Sequence, residues 1–207
     1  VDRGALDAVK KYAGVEMGNQ AQALLLIEVD GEEELVPRLL EKVAEVCQQT
    51  GGTTRVAKDQ AEAQELWLAR RAISPAIAQI APTKINEDIV VPRSELPRAL
   101  ARIEALEEKH GLPIICFGHA GDGNIHVNIM TDKKDPEKWA KAQKAVREVF
   151  AITLELGGTL SGEHGVGITK APYLSMELSP RVMELLKGIK RAFDPKNLLN
   201  PGKMGLD

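Results

Sequence analysis

Two β-prone segments, 113–117 and 125–130, are joined by a glycine-rich link, and from Gly118 to Asn128 the chain reads Gly-His-Ala-Gly-Asp-Gly-Asn-Ile-His-Val-Asn. So short a link folds the chain back on itself as a β-hairpin. Asp122-Gly123 is a preferred dipeptide for a two-residue type I′ loop. In that register His119 faces His126, and Phe117 faces Asn128. Directly opposed residues on one face have Cβ atoms about 4.5–5.5 Å apart, so both imidazoles would reach one ion at Zn–N distances of about 2.0–2.1 Å. The two-residue period puts Asn128 on the face of His126, within reach of a ligand's oxygen. A slip of one residue would send the histidines to opposite faces. The glycines at 118, 121 and 123 permit positive φ or close backbone approach.

Around the hairpin, strand and helix patterns alternate. Residues 21–30 contain Ala23-Leu-Leu-Leu-Ile-Glu-Val29 and read as a buried strand. Residues 32–49 carry Leu35, Leu39, Val43 and Val46 at helical spacing, ended by Gly51-Gly52. A short strand is expected at 53–57. A helix capped by Asp59 runs past Trp67 and Arg70 until Pro75 interrupts it. A strand at 85–91 and helices at 93–110, 136–156 and 180–193 complete the pattern. The expected fold class is α+β, a largely antiparallel sheet covered by helices on one face, of ferredoxin-like form. No Gly-x-Gly-x-x-Gly follows a strand, which excludes a Rossmann dinucleotide domain.

Composition excludes other functions. With 27 basic against 30 acidic residues the formal charge is −3, and no basic run offers a nucleic-acid footprint. Aromatic residues at 3% give no platform for stacking bases. Cys47 and Cys116 are too few for a disulfide framework and read as small buried hydrophobes in a reducing compartment. No apolar run approaches the ~20 residues of a transmembrane helix, so a cytoplasmic protein, or one held peripherally at the inner face of a membrane, is expected. Val1 is not an initiator, and the chain reads as a piece of something longer.

A second polar cluster, Ser161-Gly-Glu-His-Gly165, follows about forty positions after the hairpin. On a regular strand Glu163 and His164 would point apart, but on a glycine-flanked turn both can face one cavity. Glu163 would complete a two-His-one-carboxylate set with open coordination positions, as catalytic metals need. His164 would remain unliganded, and a neutral imidazole is a competent general base. Farther upstream, Arg70 shares a helix face with Trp67 and Ser74 and offers a bidentate fork for a carboxylate. Lys84 stands just ahead of a strand. The same ligand set also serves non-haem iron oxygenases and metal hydrolases, and a non-catalytic substrate-binding module is a further alternative.

Three separated blocks, Gly118-His-Ala-Gly-Asp-Gly-Asn-Ile-His126, Ser161-Gly-Glu-His-Gly-Val-Gly167 and Phe193-Asp-Pro-Lys-Asn-Leu-Leu-Asn-Pro-Gly-Lys203, resemble the C-terminal domain of FAD-linked oxidases, the flavoprotein D-2-hydroxyacid dehydrogenases. The resemblance implies His119, His126 and Glu163 as ligands of a divalent metal, zinc or manganese, and His164 as the active-site base. It implies Arg70, Ser74, Lys84 and Asn128 as substrate-binding residues, and Asn200 near the flavin. Ser74 stands where the family often has threonine. The implied partners are a small 2-hydroxyacid substrate, an N-terminal domain that binds FAD outside this chain, and an electron-acceptor subunit. On this reading residues 1–175 form a substrate- and metal-binding cap domain. Residues 176–207 form a helix and tail that pack on the FAD domain.

Overall fold

Strands form where a β-branched residue recurs at every second position and a neighbouring strand can use the other backbone groups. In the computed structural model, which describes residues 1–14 and 21–206, β3 (Asn124–Thr131) meets this condition throughout with Ile125, Val127, Ile129 and Thr131, and β1 (Thr83–Val90) and β2 (Ile114–His119) pair on either side of it. They form an antiparallel sheet in the order β1-β3-β2. Helices α1 (Arg3–Ala13), α2 (Val36–Gln49), α3 (Gln60–Arg71) and α4 (Ile73–Ile77) precede the sheet in sequence. Helix α5 (Leu96–His110) connects β1 to β2, and α6 (Pro136–Glu155), α7 (Leu174–Glu177) and α8 (Pro180–Phe193) follow β3.

The run β1-α5-β2-β3-α6 is a split β-α-β unit. Its last strand is reduced to one antiparallel bridge on the free edge of β1, where Val90 and Thr159 exchange both backbone hydrogen bonds at 3.1 and 2.9 Å. One sheet face buries Ile89, Ile114, Cys116, Ile125, Val127 and Ile129 against Ala99 and Ile103 of α5 and Val146, Val149 and Phe150 of α6. Each such large side chain contributes about 1.5–3 kcal/mol by leaving water. Cys116 is buried in this layer, as expected. The α+β class with an antiparallel sheet agrees with the sequence pattern. A smaller second layer was not anticipated: α1 and α4 cover one end of the opposite face, packing Ala5, Val9, Ile73 and Ile77 on Ile115 and Met130.

Helix α1 has signals that the periodicity reading passes over. Asp2 accepts the N–H of Ala5 at 2.9 Å, and Gly14 ends the helix in the left-handed region. The helix expected to be interrupted at Pro75 does stop, at Arg71, the residue whose carbonyl the Pro75 ring would meet in a continuous helix. Pro75 itself belongs to the next helix. It occupies the first turn of α4, where its missing N–H has no partner to lose.

The two strands expected at 21–30 and 53–57 are not formed. Segment 21–30 has no regular structure beyond a single bridge from Ala23 to Asp2, and Leu25 and Ile27 are exposed. An aliphatic run becomes a strand only beside another edge, and no described segment of this chain supplies one. Helix α2 forms as expected but buries none of its residues, so Leu35, Leu39 and Val46 face outward.

Candidate metal centre

The hairpin is tighter in one respect and looser in another than a type I′ turn. Ala120–Asp122 form a 3₁₀ turn and only Gly123 takes positive φ (74°), whereas type I′ needs positive φ at both central residues. The loop therefore has four residues. His119 pairs with Asn124, and His126 pairs with Phe117, not with His119 as expected. Gly123 is held against the end of β1, with its carbonyl accepting the Val91 N–H at 3.0 Å. A Cβ on Gly123 would come 2.0 Å from the Val91 oxygen. The register differs by two positions, so parity is kept and both imidazoles share a face. They are diagonal neighbours with ring centroids 5.8 Å apart.

Glu163 reaches this pair from the far loop. Its Oε1 is 3.2 Å from His126 Nε2 and 3.6 Å from His119 Nε2. Ligands about 2.0–2.1 Å from a tetrahedral ion are about 3.3 Å apart, so Glu163 Oε1 stands near ligand spacing from each imidazole nitrogen, and the three ligand atoms lie within 4.8 Å of one another. The donor set suits the chemistry too, since burial lowers the pKa of His126 and favours its neutral, ligating form. His164 does not join this set. Its ring stacks on His126 with centroids 5.0 Å apart and planes 14° from parallel. A second convergence of ligand atoms involves Asp88, His126 and His164.

Asp88, in β1, explains how the loop is held. Its side chain is fully buried, and Oδ2 accepts the backbone N–H groups of Gly162, Glu163 and His164, each at 2.9 Å. Burial would raise its pKa, but the His164 N–H, the Asn124 amide and Lys170 outweigh that and hold it below the usual carboxylate value. Lys170, also buried, donates from Nζ to the carbonyls of Asp88 (2.6 Å) and Leu160 (2.8 Å). Neither residue is among the sequence candidates. The available signal was an acidic side chain within a buried strand, Ile85-Asn-Glu-Asp-Ile-Val-Val91, where an unpaired charge is not tolerated.

The candidates for anion binding form a separate group. Lys84 Nζ lies 3.4 Å from Ser74 Oγ, both exposed. The Arg70 guanidinium lies over the Phe117 ring at 5.0 Å, and Phe117 in turn meets His126 at 5.4 Å. Asn128 shares the face of His126, but it is fully buried and its amide is committed. Its Nδ2 donates to Ile115 and His126 carbonyls at 3.1 Å, and its Oδ1 accepts from Asn86 at 2.8 Å. Asn86, less buried, is the amide nearer solvent.

Residues 1–204 match the family described as FAD linked oxidases, C-terminal domain. The chain belongs to this family. The glycolate oxidase subunit GlcD of Bacillus subtilis (strain 168) is 42% identical over 205 residues, 99% of this chain and 44% of that protein. The D-lactate dehydrogenase of Anaerostipes hadrus is 35% identical over 199 residues, 94% of this chain and 41% of that protein. This FAD-linked oxidase domain thus spans less than half the length of these curated relatives. Among solved structures, p-cresol methylhydroxylase with substrate bound has a TM-score of 0.63, covering 86% of this chain and 37% of its own. At 19% identity that likeness is one of fold.

Helix α8 and the tail of this domain present apolar side chains outward. Val182, Leu185, Ile189 and Phe193 recur on one face of α8 and are exposed, Phe193 by 84%. Asp194 ties back the tail, accepting the Leu198 and Leu199 N–H groups at 2.8 Å and pairing with Lys190. That leaves the Leu198 and Leu199 side chains exposed, with Asn200 next in a left-handed conformation. Among the described residues no helix is long and apolar enough to cross a membrane.

Proposed function

We propose that this domain is the substrate side of a flavin-dependent oxidoreductase that converts a D-2-hydroxyacid of the glycolate or D-lactate class to the 2-oxoacid. One observation carries the reading. A carboxylate oxygen lies within 3.6 Å of two same-face imidazoles, with a third imidazole stacked alongside. In this reading His119, His126 and Glu163 hold a divalent metal, zinc or manganese. When bound, the metal lowers the pKa of a coordinated oxygen, and FAD accepts a hydride.

The chain's own residues do the rest. Arg70 presents its fork to the substrate carboxylate, and Lys84 with Ser74 supplies further donors. An imidazole nitrogen of His164 takes the hydroxyl proton while the stack on His126 holds the ring and the backbone N–H bond to Asp88 holds its main chain. Asn128 supports His126 and Asn86 from below, and contacts substrate only by exchanging one of its present partners. Residues 176–207, with Asn200, pack on an FAD-binding domain through the outward face of α8. An electron-acceptor subunit would reoxidise the flavin.

Metal analysis and a panel of 2-hydroxyacids on the full-length protein test this reading. His164→Ala is expected to cut turnover by about 10²–10⁴-fold with unchanged metal content. Turnover equal to the wild type would remove His164 from the mechanism. Hydrolysis or oxygenation without flavin would replace the reading with a metal hydrolase or oxygenase.

A further inference from the structure

Two groups of ligand atoms share His126, and they make different claims on it. The first meets its Nε2, where His119 and Glu163 converge. The second meets its Nδ1, where Asp88 Oδ1 lies 3.9 Å away. Asp88 is a poor metal ligand. Its Oδ2 already accepts three N–H groups, Lys170 Nζ lies 3.6 Å from that oxygen, and Oδ1 accepts from the Asn124 amide. His126 Nδ1 is the opposite case. It is buried and has no hydrogen-bond partner among the described residues, and leaving a buried polar nitrogen unpaired is costly. The 3.9 Å separation from Oδ1 is about 0.7 Å beyond the hydrogen-bond range. A bare Nδ1 lone pair facing an anionic oxygen would repel it, whereas Nδ1–H would be drawn to it. Histidine ligands ordinarily donate their second ring N–H to such a carboxylate.

We propose that Asp88 is the positioning residue of the metal centre: one oxygen gathers the Gly162–His164 backbone onto the sheet, and the other selects the Nδ1–H form of His126, leaving Nε2 bare for the metal. One buried carboxylate thereby sets two otherwise unrelated things, the placement of Glu163 and His164 and the tautomer of His126. The inference rests on the metal-centre reading above.

Asp88→Asn separates the two roles. The new carbonyl can take the three loop N–H groups, while the amide NH₂ faces His126 and the Asn124 amide, which can turn its unpaired Oδ1 to accept from it. That NH₂ donates to Nδ1 and favours the Nε2–H form, which cannot ligate. An orienting aspartate replaced by asparagine gives the wrong tautomer in the same way in a Ser-His-Asp triad. Zinc is titrated in competition with a chromogenic chelator into the full chain, D88N and His126→Ala. We expect D88N to bind zinc about 10–100-fold more weakly and His126→Ala to lose the site. Wild-type affinity in D88N, with His126→Ala weakened, overturns the role of Asp88. Equal zinc binding by wild type and His126→Ala overturns the metal reading beneath it. Should D88N not fold, ring-¹⁵N histidine NMR of the unsubstituted, metal-free chain decides the matter. His126 as Nδ1–H supports the proposal. His126 as Nε2–H, donating to Glu163, refutes it.

Discussion

Gly162 is the residue on which the approach of the far loop to the sheet depends. A Cβ built there lies 2.3 Å from Asn124 Nδ2, 2.7 Å from Asp88 Oδ1 and 2.9 Å from Val90 Cγ2. Ordinary contact begins near 3.4 Å, so Gly162→Ala must move the loop or its neighbours by about 1 Å. Three hydrogen bonds of 2.9 Å to Asp88 cannot survive that movement unchanged. Overpacking of this size costs about 1–3 kcal/mol, and a displacement of about 1 Å at a reacting group costs on the order of 10²-fold in rate. Gly165→Ala is the matched control. Its φ is +74° but nothing lies near its Cβ, so it carries about 1–2 kcal/mol of backbone strain and no steric push. Urea unfolding and zinc competition on both variants separate the effects. Both should be destabilised, and Gly162→Ala alone should lose most of its metal affinity. Equal zinc affinities in the two variants would refute the argument that contact at Gly162 positions Glu163.

Three other outcomes follow from single side chains. Burial lifts the carboxyl of Glu87 from 4.5 to about 7, with Lys170 opposing and Asp88 adding to the shift. The unfolded chain loses this proton near pH 4.5 and the folded chain near 7, so stability falls as pH rises through that window. Glu87→Gln should remove the slope and gain up to about 3 kcal/mol above pH 7, and an unaltered slope in pH-dependent urea melts would count against a buried Glu87. Arg70→Lys loses the planar fork and should raise KM on the order of 10-fold with kcat less affected; steady-state kinetics on D-lactate and glycolate check this, and an unchanged KM would take Arg70 off the carboxylate. Leu185→Lys, on an already exposed position of α8, should alter the stability of this chain by less than about 0.5 kcal/mol yet lower the FAD-to-protein ratio of the full-length protein. Full flavin occupancy would place the FAD-binding contact elsewhere.

How far the sequence carried depended on the range of the interaction. Helices α5, α6 and α8 were legible because their signals are local: periodicity with a proline in the first turn of each, a capping side chain on α6 and α8, and Gly111 at the end of α5. The shared face of His119 and His126 was legible as well, because strand parity survives a two-residue error in the turn. The turn itself was misread, since the dock of Gly123 against Val91 is a contact with β1 that no local dipeptide rule contains.

Segment 21–30 shows the converse. Its hydrophobicity is a local property, but a strand needs a neighbour, and none of the described residues supplies one. The sequence alone determined which chemical groups are available and which of them share a strand face. Only the tertiary structure decided that Asp88 and Lys170, distant along the chain and silent as motifs, gather Glu163 and His164 beside the histidine pair. A buried charge must find its partners somewhere, and where it finds them is set by packing across the whole sheet.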